Sequence, residues 1–247
     1  MEFQNFLEQK NKLYSTTSKT ERFFDVFFSV VFYILTIFFV LYFCFKIVFI
    51  QARVVGISME PTFNSDLVAT QVYDEGYYEN SIYKDYIYAN RFDKGTNGDI
   101  VIVDIDNQLV VKRIIASAGQ TLLLKKGQDG YYYYYVDGKM IDEDYIYSRE
   151  DMNLSYYLAF SSTPIESKQV DGDMSTTIVV PQGCVFVLGD NRFTQYSSGV
   201  IASKDSRFYG AVSKEKIVGK VSFYHAYNKT LLGYLFENIF SIFWLNP

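Results

Sequence analysis

Histidine and cysteine are nearly absent from this chain, which has one His and two Cys among its 247 residues. Cys44 lies inside a long apolar run and Cys184 lies far along the chain, so a disulfide between them is not expected. The lone His225 stands in no motif. The sequence therefore predicts no disulfide framework, no metal site and no cofactor.

Positive charge is also in deficit, with 23 Lys and Arg against 28 Asp and Glu and a formal net charge of −5 at pH 7. A domain that binds nucleic acid normally carries a basic surface, so nucleic acid is not an expected partner. Aromatic residues, in contrast, are abundant, with 23 Tyr and 22 Phe. Much of the Phe lies in the first 50 residues, and many Tyr lie in runs that are typical of strands.

An uncharged, mostly apolar stretch of nineteen residues extends from Phe27 to Phe45, and a short apolar stretch resumes after Lys46. That length is enough to cross a bilayer as a helix. A buried core helix would show a polar face, and a cleaved signal peptide would have a shorter apolar region that ends in small residues. Basic residues before the run favour a cytoplasmic N-terminus. We therefore expect an uncleaved membrane anchor.

Ser58 follows this anchor within the stretch from Gly56 to Phe63. Pro61 has a restricted φ angle and biases Glu60 toward an extended backbone. The stretch is therefore predicted to present Ser58 on a rigid, non-helical segment. Taken alone, it fits a plain linker that leaves the membrane equally well.

Two strand patterns with a tight turn between them come later in the chain. Residues 100–105 and 108–115 flank Asp106 and Asn107, which is typical of a β-hairpin. Both faces of the second strand are apolar, so one of its two cations, Lys112 or Arg113, is expected to lie among hydrophobic side chains.

Lys112 is the cation that such a setting can make neutral. Desolvation lowers a lysine pKa by up to several units, whereas arginine stays charged. The alternative is a lysine at a strand edge, with a packed stem and a hydrated ammonium group.

A nucleophilic serine needs a base, and His225 has no motif around it. A neutral lysine is a known substitute for histidine in this role. Lys112 is therefore a candidate to take the proton from Ser58 and later return it to the leaving amine. It would also need a neighbouring hydroxyl to orient it.

Two further segments carry polar side chains after a strand pattern at 185–188. Gly189 to Arg192 by itself indicates only a turn. Asp205 and Arg207 lie two residues apart, where they either form an ion pair or are solvated. Further strands are predicted at 66–73, 141–147 and 217–224.

Together these segments resemble the type I signal peptidases, which are membrane-anchored serine proteases that remove signal peptides from exported proteins. Residues 58–62 are similar to the family's nucleophile motif, 98–101 with 111–114 to its general-base region, and 189–192 with 203–207 to its last motif. Three motifs in this order after an apolar span make the resemblance specific. It covers nearly everything after residue 22 and points to the branch that uses lysine.

The resemblance implies that Ser58 is the nucleophile and Lys112 the general base. Ser203 would hydrogen-bond the lysine amine, and Asp205 and Arg207 would form a supporting ion pair. The implied substrate is an extended peptide, the signal peptide of a preprotein, which would lie alongside a strand close to the membrane lipid.

The sequence departs from the family pattern in three places. Gly56 occupies a position where some relatives have a hydroxyl that helps the backbone N–H of Ser58 to form the oxyanion hole. Gln120 stands where the family usually has Asp. An insertion at 193–202 lies next to the implied active site.

The expected fold is mainly β, a membrane-anchored antiparallel β fold with a catalytic lobe, an inserted second β lobe and one N-terminal transmembrane helix. The predicted segments are a cytoplasmic tail, helical or disordered (1–22), the anchor (23–50), the catalytic lobe (51–121 and 181–230), the inserted lobe (122–180) and an apolar tail (231–247). For the tail, an interfacial helix, a packed core segment and a second span are the alternatives.

Two other functions compete with signal peptide cleavage. A Ser/Lys protease of the self-cleaving repressor type would carry a DNA-binding domain or a short soluble arm instead of a span. A non-catalytic or specialised relative, anchored in the membrane and acting in surface-protein or pilus assembly, would be marked by loss of Ser58 or Lys112, and both are present.

Overall fold

Two helices form the first of two structural units in the computed structural model, which describes residues 2–15, 19–64, 85–146, 166–170, 173–192 and 203–226. Helix α1 spans Glu2–Ser15 and helix α2 spans Lys19–Val48. The part of α2 from Glu21 to Val48 is long and apolar enough to cross a membrane, and its side chains are exposed, unlike those of a core helix.

The second unit begins at Phe49 and consists of two antiparallel sheets. Phe49 and Ile50, which the sequence assigns to the anchor, instead begin the first strand, because they pair with Asn90 and Ala89. The strands are β1 (Phe49–Arg53), β2 (Tyr86–Asn90), β3 (Ile100–Ile105), β4 (Gln108–Ser117), β5 (Thr121–Lys126), β6 (Tyr132–Val136), β7 (Lys139–Met140), β8 (Glu166–Val170), β9 (Asp173–Val179), β10 (Cys184–Leu188), β11 (Val212–Ser213) and β12 (Ile217–His225).

The larger sheet has the order β1-β2-β12-β3-β4-β10-β11, and the smaller has the order β7-β6-β5-β9-β8. The mainly β, antiparallel fold class is thereby confirmed. All strands of the smaller sheet come from residues 121–179, the part of the chain in which the sequence predicts an inserted lobe. The expected strand at 66–73 and the apolar tail at 231–247 lie outside the described residues.

The predicted hairpin is confirmed as β3 and β4. Asp106 and Asn107 form its turn with φ angles of 52° and 63°, the left-handed values that a tight two-residue hairpin turn requires. The register places Lys112 opposite Val101, at the centre of the larger sheet.

A strand expected at 141–147 is not formed in its described part, 141–146. Pairing with β6 stops after Met140. Beyond that point Glu143 and Tyr145 contact two arginines near the candidate site instead of continuing the sheet. Contacts with Arg192 and Arg113 therefore replace backbone pairing with β6 in this segment.

One apolar cluster joins the two sheets. Tyr132 and Tyr134, alternate residues of the tyrosine run, point into it, as expected for strand residues with one buried face. The cluster contains Ile115, Ala116, Leu122, Leu124, Tyr132, Tyr134, Ile178, Val180, Phe186 and Leu188.

Gln120 links the ends of β4 and β6. Its Oε1 accepts hydrogen bonds from Asn97 Nδ2 (2.6 Å) and the backbone N–H of Ser117 (2.8 Å). Its Nε2 donates to Asp137 Oδ2 at 2.9 Å. An aspartate at position 120 could not make the last contact, so the amide suits a chain that has Asp137 nearby.

We expect Gln120→Glu to lower the free energy of unfolding by about 1 kcal/mol, because it replaces the Nε2–Asp137 hydrogen bond with two facing carboxylates. Denaturant unfolding of the full chain in detergent measures this. The double variant Gln120→Glu/Asp137→Asn, which restores a donor at position 137, should recover most of the loss. A single variant as stable as the wild type would contradict this role for Gln120.

Candidate active site

Ser58 lies on a turn that two buried side chains hold in the core. Met59 is fully buried, and Phe63 is 1% exposed. Both pack in a cluster with Ile87 and Ile102 of the larger sheet. Because anchors on both sides of Glu60 and Pro61 are fixed in the core, the segment is a structured loop and not a loose linker.

Lys112 of β4 meets this loop. Its Nζ lies 2.6 Å from Ser58 Oγ, and the residue is 3% exposed. A lysine at a hydrated strand edge is thereby excluded. Among the described residues, Ser58 is the hydrogen-bond partner of this amine.

The pKa of Lys112 falls from 10.5 to about 8, mainly because burial disfavours the ammonium ion. The carboxylate of Asp205 opposes this fall, Arg207 adds to it, and Asp190 opposes it. About a tenth of the Lys112 side chains are therefore neutral at pH 7, against fewer than about one in a thousand at the unperturbed pKa, and the neutral form is the one that can accept a proton.

Asp205 and Arg207 form the ion pair that the resemblance implies. Arg207 Nε and Nη2 donate to the two carboxylate oxygens at 2.8 and 2.9 Å, and Asp205 also caps the short helix α3 (Ser206–Tyr209). Burial alone would raise the pKa of Asp205, but Arg207 holds it below its ordinary value. Both residues are buried, and the Asp205 carboxylate keeps its negative charge next to Lys112.

Ser203 has a different partner from the expected one. Its hydroxyl donates to Asp205 Oδ2 at 2.7 Å, because a buried carboxylate is a stronger acceptor than a lysine amine. The resemblance implies a bond to Lys112, which is absent among the contacts of the described residues. Ser203 instead connects to the lysine through the field of Asp205.

Gly189 occupies the space between the two serines. A Cβ on it would lie 2.3 Å from the carbonyl oxygen of Ser58 and 2.4 Å from Ser203 Oγ. The backbone N–H of Gly189 donates to Asp205 Oδ2 at 3.0 Å, and that of Asn191 donates to the Ser58 carbonyl at 3.1 Å. The end of β10 thus holds the serine loop and the ion pair together.

A second ion pair, with a buried carboxylate and a partly buried arginine, also contacts the loop that carries Ser58. Arg113 donates to both carboxylate oxygens of Asp190, at 2.8 and 2.6 Å. Thr62 Oγ1 donates to Asp190 Oδ2 at 2.5 Å, so this pair also fixes the end of the loop that follows Ser58. Arg113, which follows Lys112 in β4, therefore has a structural role that the sequence pattern alone did not indicate.

A family model described as signal peptidase, peptidase S26, matches residues 26–226, a range that includes every residue of the candidate site described above. The chain belongs to this family.

Three relatives show how far the likeness extends. The chain is 29% identical to signal peptidase I V of Bacillus subtilis over 71% of its own length and 84% of that protein. It is 36% identical to signal peptidase I of Bacillus caldolyticus over 46% of its length and 51% of that protein. It is 28% identical to an inactive signal peptidase IA of Staphylococcus aureus over 56% of its length and 65% of that protein.

Asn64 closes the loop that carries Ser58. Its Nδ2 donates to the carbonyl oxygens of Val54 (3.2 Å) and Gly56 (2.9 Å), and its Oδ1 accepts from the backbone N–H of Asp85 at 3.0 Å. Its own N–H donates to Asp85 Oδ2 at 2.7 Å. The φ angle of Asn64 is 59°, a left-handed value that asparagine tolerates better than most residues. The residue type was therefore the only feature of the sequence that could have pointed to this position.

The backbone conformation at Gly56 is one that favours a residue without a side chain. Its φ angle is 93°, a value that residues with a Cβ rarely adopt. A residue with a hydroxyl side chain, which some signal peptidases carry at this position, would therefore strain the loop that Asn64 closes, because it would add a Cβ.

The 141–146 segment also reaches the site. Arg192 pairs with Glu143 at 2.6 Å, and its Nε donates to the carbonyl of Gly189 at 2.7 Å. Tyr145 lies with its ring 3.9 Å from the guanidinium carbon of Arg113. The segment 141–146, which has no catalytic motif, thus holds Arg192 and Gly189 in place at the end of β10.

We expect Gly189→Ala to lower kcat by about a hundredfold, because the new methyl group must displace the Ser58 carbonyl or the Ser203 hydroxyl. Steady-state cleavage of a model precursor measures the effect. Gly183→Ala is the control, since a Cβ there meets nothing within 4 Å, although its φ of 74° adds a backbone strain that Gly189 does not have. Equal activities of the two variants would refute the packing argument.

Proposed function

We propose that this chain is a membrane-bound serine endopeptidase, a signal peptidase I, that removes N-terminal signal peptides from exported preproteins with Ser58 and Lys112 as its catalytic pair. The observation that carries the proposal is the 2.6 Å contact between Lys112 Nζ and Ser58 Oγ at a buried site. It supplies a nucleophile within hydrogen-bond reach of a base of suitable pKa.

In the first chemical step, neutral Lys112 takes the hydroxyl proton while Ser58 Oγ attacks the scissile carbonyl carbon. The carbonyl oxygen becomes an oxyanion, which the backbone N–H of Ser58 stabilises. When the tetrahedral intermediate collapses, the lysine ammonium gives its proton to the leaving amine, and an acyl ester on Ser58 remains. Lys112 is then neutral again.

In the second step, water replaces the amine. Lys112 takes a proton from the water as the hydroxide attacks the ester, and it returns that proton to Ser58 Oγ when the signal peptide leaves as a carboxylic acid. The lysine is thus unchanged over the cycle. The Asp205–Arg207 pair and the hydroxyl of Ser203 keep the surroundings of the amine fixed throughout.

The proposed location follows from the apolar helix. Residues 21–48 would anchor the chain with its N-terminus in the cytoplasm and the body on the extracytoplasmic side, where a preprotein presents its cleavage site beside the membrane. The substrate would be an extended peptide paired with a strand.

A non-catalytic relative that serves in surface-protein or pilus assembly is the competing function, since one relative is named an inactive signal peptidase. The observation against it in this chain is the intact pair of Ser58 and Lys112, with the Asp205–Arg207 ion pair formed next to it. An assembly factor has no need of a dehydrated lysine facing a serine.

We expect Ser58→Ala and Lys112→Ala each to lower cleavage of a model precursor by a factor of at least about 10³, because either change removes the nucleophile or its base. Lys204→Ala, at an exposed lysine, is the matched control and should keep wild-type activity. Wild-type kcat/KM should rise with pH to a plateau, with a midpoint near 8, the pKa of Lys112. Full activity of Lys112→Ala would refute the dyad, and an inactive wild type would favour the assembly role.

Stability should depend on pH in a way that is specific to Lys112. Its pKa is about 8 in the folded chain and 10.5 when unperturbed, so the unfolded state binds more protons between these pH values. The free energy of unfolding therefore rises with pH across that window, and below it the folded state carries the full penalty of about 3 kcal/mol.

The measurement compares wild type with Lys112→Met in denaturant at several pH values. The variant lacks the penalty, so its stability relative to wild type should be greatest below pH 8 and should decline by pH 10.5. Loss of the Ser58 contact shifts the difference by a pH-independent amount. Lys204→Met should show no such trend, and a flat difference for Lys112→Met would mean that the lysine is not dehydrated.

A further inference from the structure

Helix α1 carries an apolar face that stays exposed among the described residues of the chain. Phe3, Phe6 and Leu7 are 73%, 59% and 41% exposed. Their spacing places them on one side of the helix, since residues three and four apart are neighbours on a helix surface. Lys10, four residues after Phe6, lies on the same side one turn further on, where its stem can pack and its ammonium group can reach water, and Asn5 and Lys12 project from the opposite side.

The connection to α2 limits how far this face can lie from the proposed anchor. Three residues separate Ser15 from Lys19, and fully extended chain across them reaches about 14 Å. The helical residues from Lys19 to the first Phe of the span add about 6 Å. The end of α1 is therefore held within roughly one helix length of the bilayer surface, where the effective concentration of lipid is high.

The charges around α1 do not select an anionic surface. Lys10, Lys12, Lys19 and Arg22 are nearly balanced by Glu2, Glu8 and Glu21. Attraction to anionic headgroups grows with each uncompensated basic residue, so it contributes little here. Burial of the phenylalanines and the leucine is the main driving force that remains.

We propose that α1 lies on the cytoplasmic membrane surface as an interfacial helix, with Phe3, Phe6 and Leu7 in the acyl boundary of the bilayer and its polar side in water. This deepens the proposed function, because it rests on the anchor formed by α2. The segment before the span is then a second membrane contact, held by apolar burial and independent of lipid charge.

The test uses the full chain in vesicles, with an environment-sensitive fluorophore on single cysteines. Leu7→Cys and Asn5→Cys, each in a Cys44→Ser/Cys184→Ser background, probe opposite sides of α1. Native Cys44, alone in a Cys184→Ser background, reports whether the span is in the bilayer. Quenching by brominated phosphatidylcholine and by aqueous iodide is compared in vesicles of phosphatidylcholine with and without phosphatidylglycerol.

We expect the probe at position 7 to be quenched several-fold more strongly by brominated lipid than the probe at position 5, with iodide showing the reverse order. Both vesicle types should give the same pattern. In a Phe3→Ser/Phe6→Ser background, the probe at position 7 should become accessible to iodide.

Other outcomes would overturn the proposal in distinguishable ways. Lipid quenching at Cys44 with equal aqueous access at positions 5 and 7 would remove the surface helix but keep the anchor. Aqueous access at Cys44 would remove both. Quenching at position 7 by neither agent, with a dependence on the protein-to-lipid ratio, would mean that a second copy of the chain covers the face.

Discussion

The contact between Lys112 and Ser58 depends on keeping water from a lysine amine. A charged lysine at the centre of a sheet lowers stability. Lys112 faces the Ser58 hydroxyl at 2.6 Å and not solvent, so its pKa falls and its neutral form is favoured. The strand supplies the position of the amine, and the buried side chains of Met59 and Phe63 supply the position of the serine. Neither element by itself would bring the two atoms together.

Two ion pairs lie next to this contact, and the opposite charges within them act on Lys112 in opposite directions. The carboxylates of Asp205 and Asp190 favour the charged lysine, whereas Arg207 and above all burial favour the neutral one. Because each carboxylate is held by an arginine in two hydrogen bonds, its field at Lys112 is partly cancelled. A lysine next to an unpaired carboxylate would remain protonated and would be unable to act as a base.

The strand end at Gly189 connects this electrostatic arrangement to the second sheet. Its N–H binds Asp205, its carbonyl binds Arg192, and Arg192 pairs with Glu143 of the segment that follows β7. The sequence gives 141–146 no catalytic motif, yet its Glu143 and Tyr145 support the arginines of two motifs. The smaller sheet therefore does more than pack against the larger one through the shared apolar cluster.

The sequence by itself determined the apolar helix, the β3–β4 hairpin, the family and the two residues at the centre of the site, because each of these depends on local periodicity or on a short motif. Tertiary structure decided the rest: the depth to which Lys112 is buried, the partner of Ser203, the Arg113–Asp190–Thr62 contacts and the closure of the loop by Asn64. Thr62 and Asp190 lie 128 positions apart. Contacts of this kind follow from which strands become neighbours in the sheet, and the free energy of dehydrating a lysine depends on that packing and not on its neighbours in the sequence.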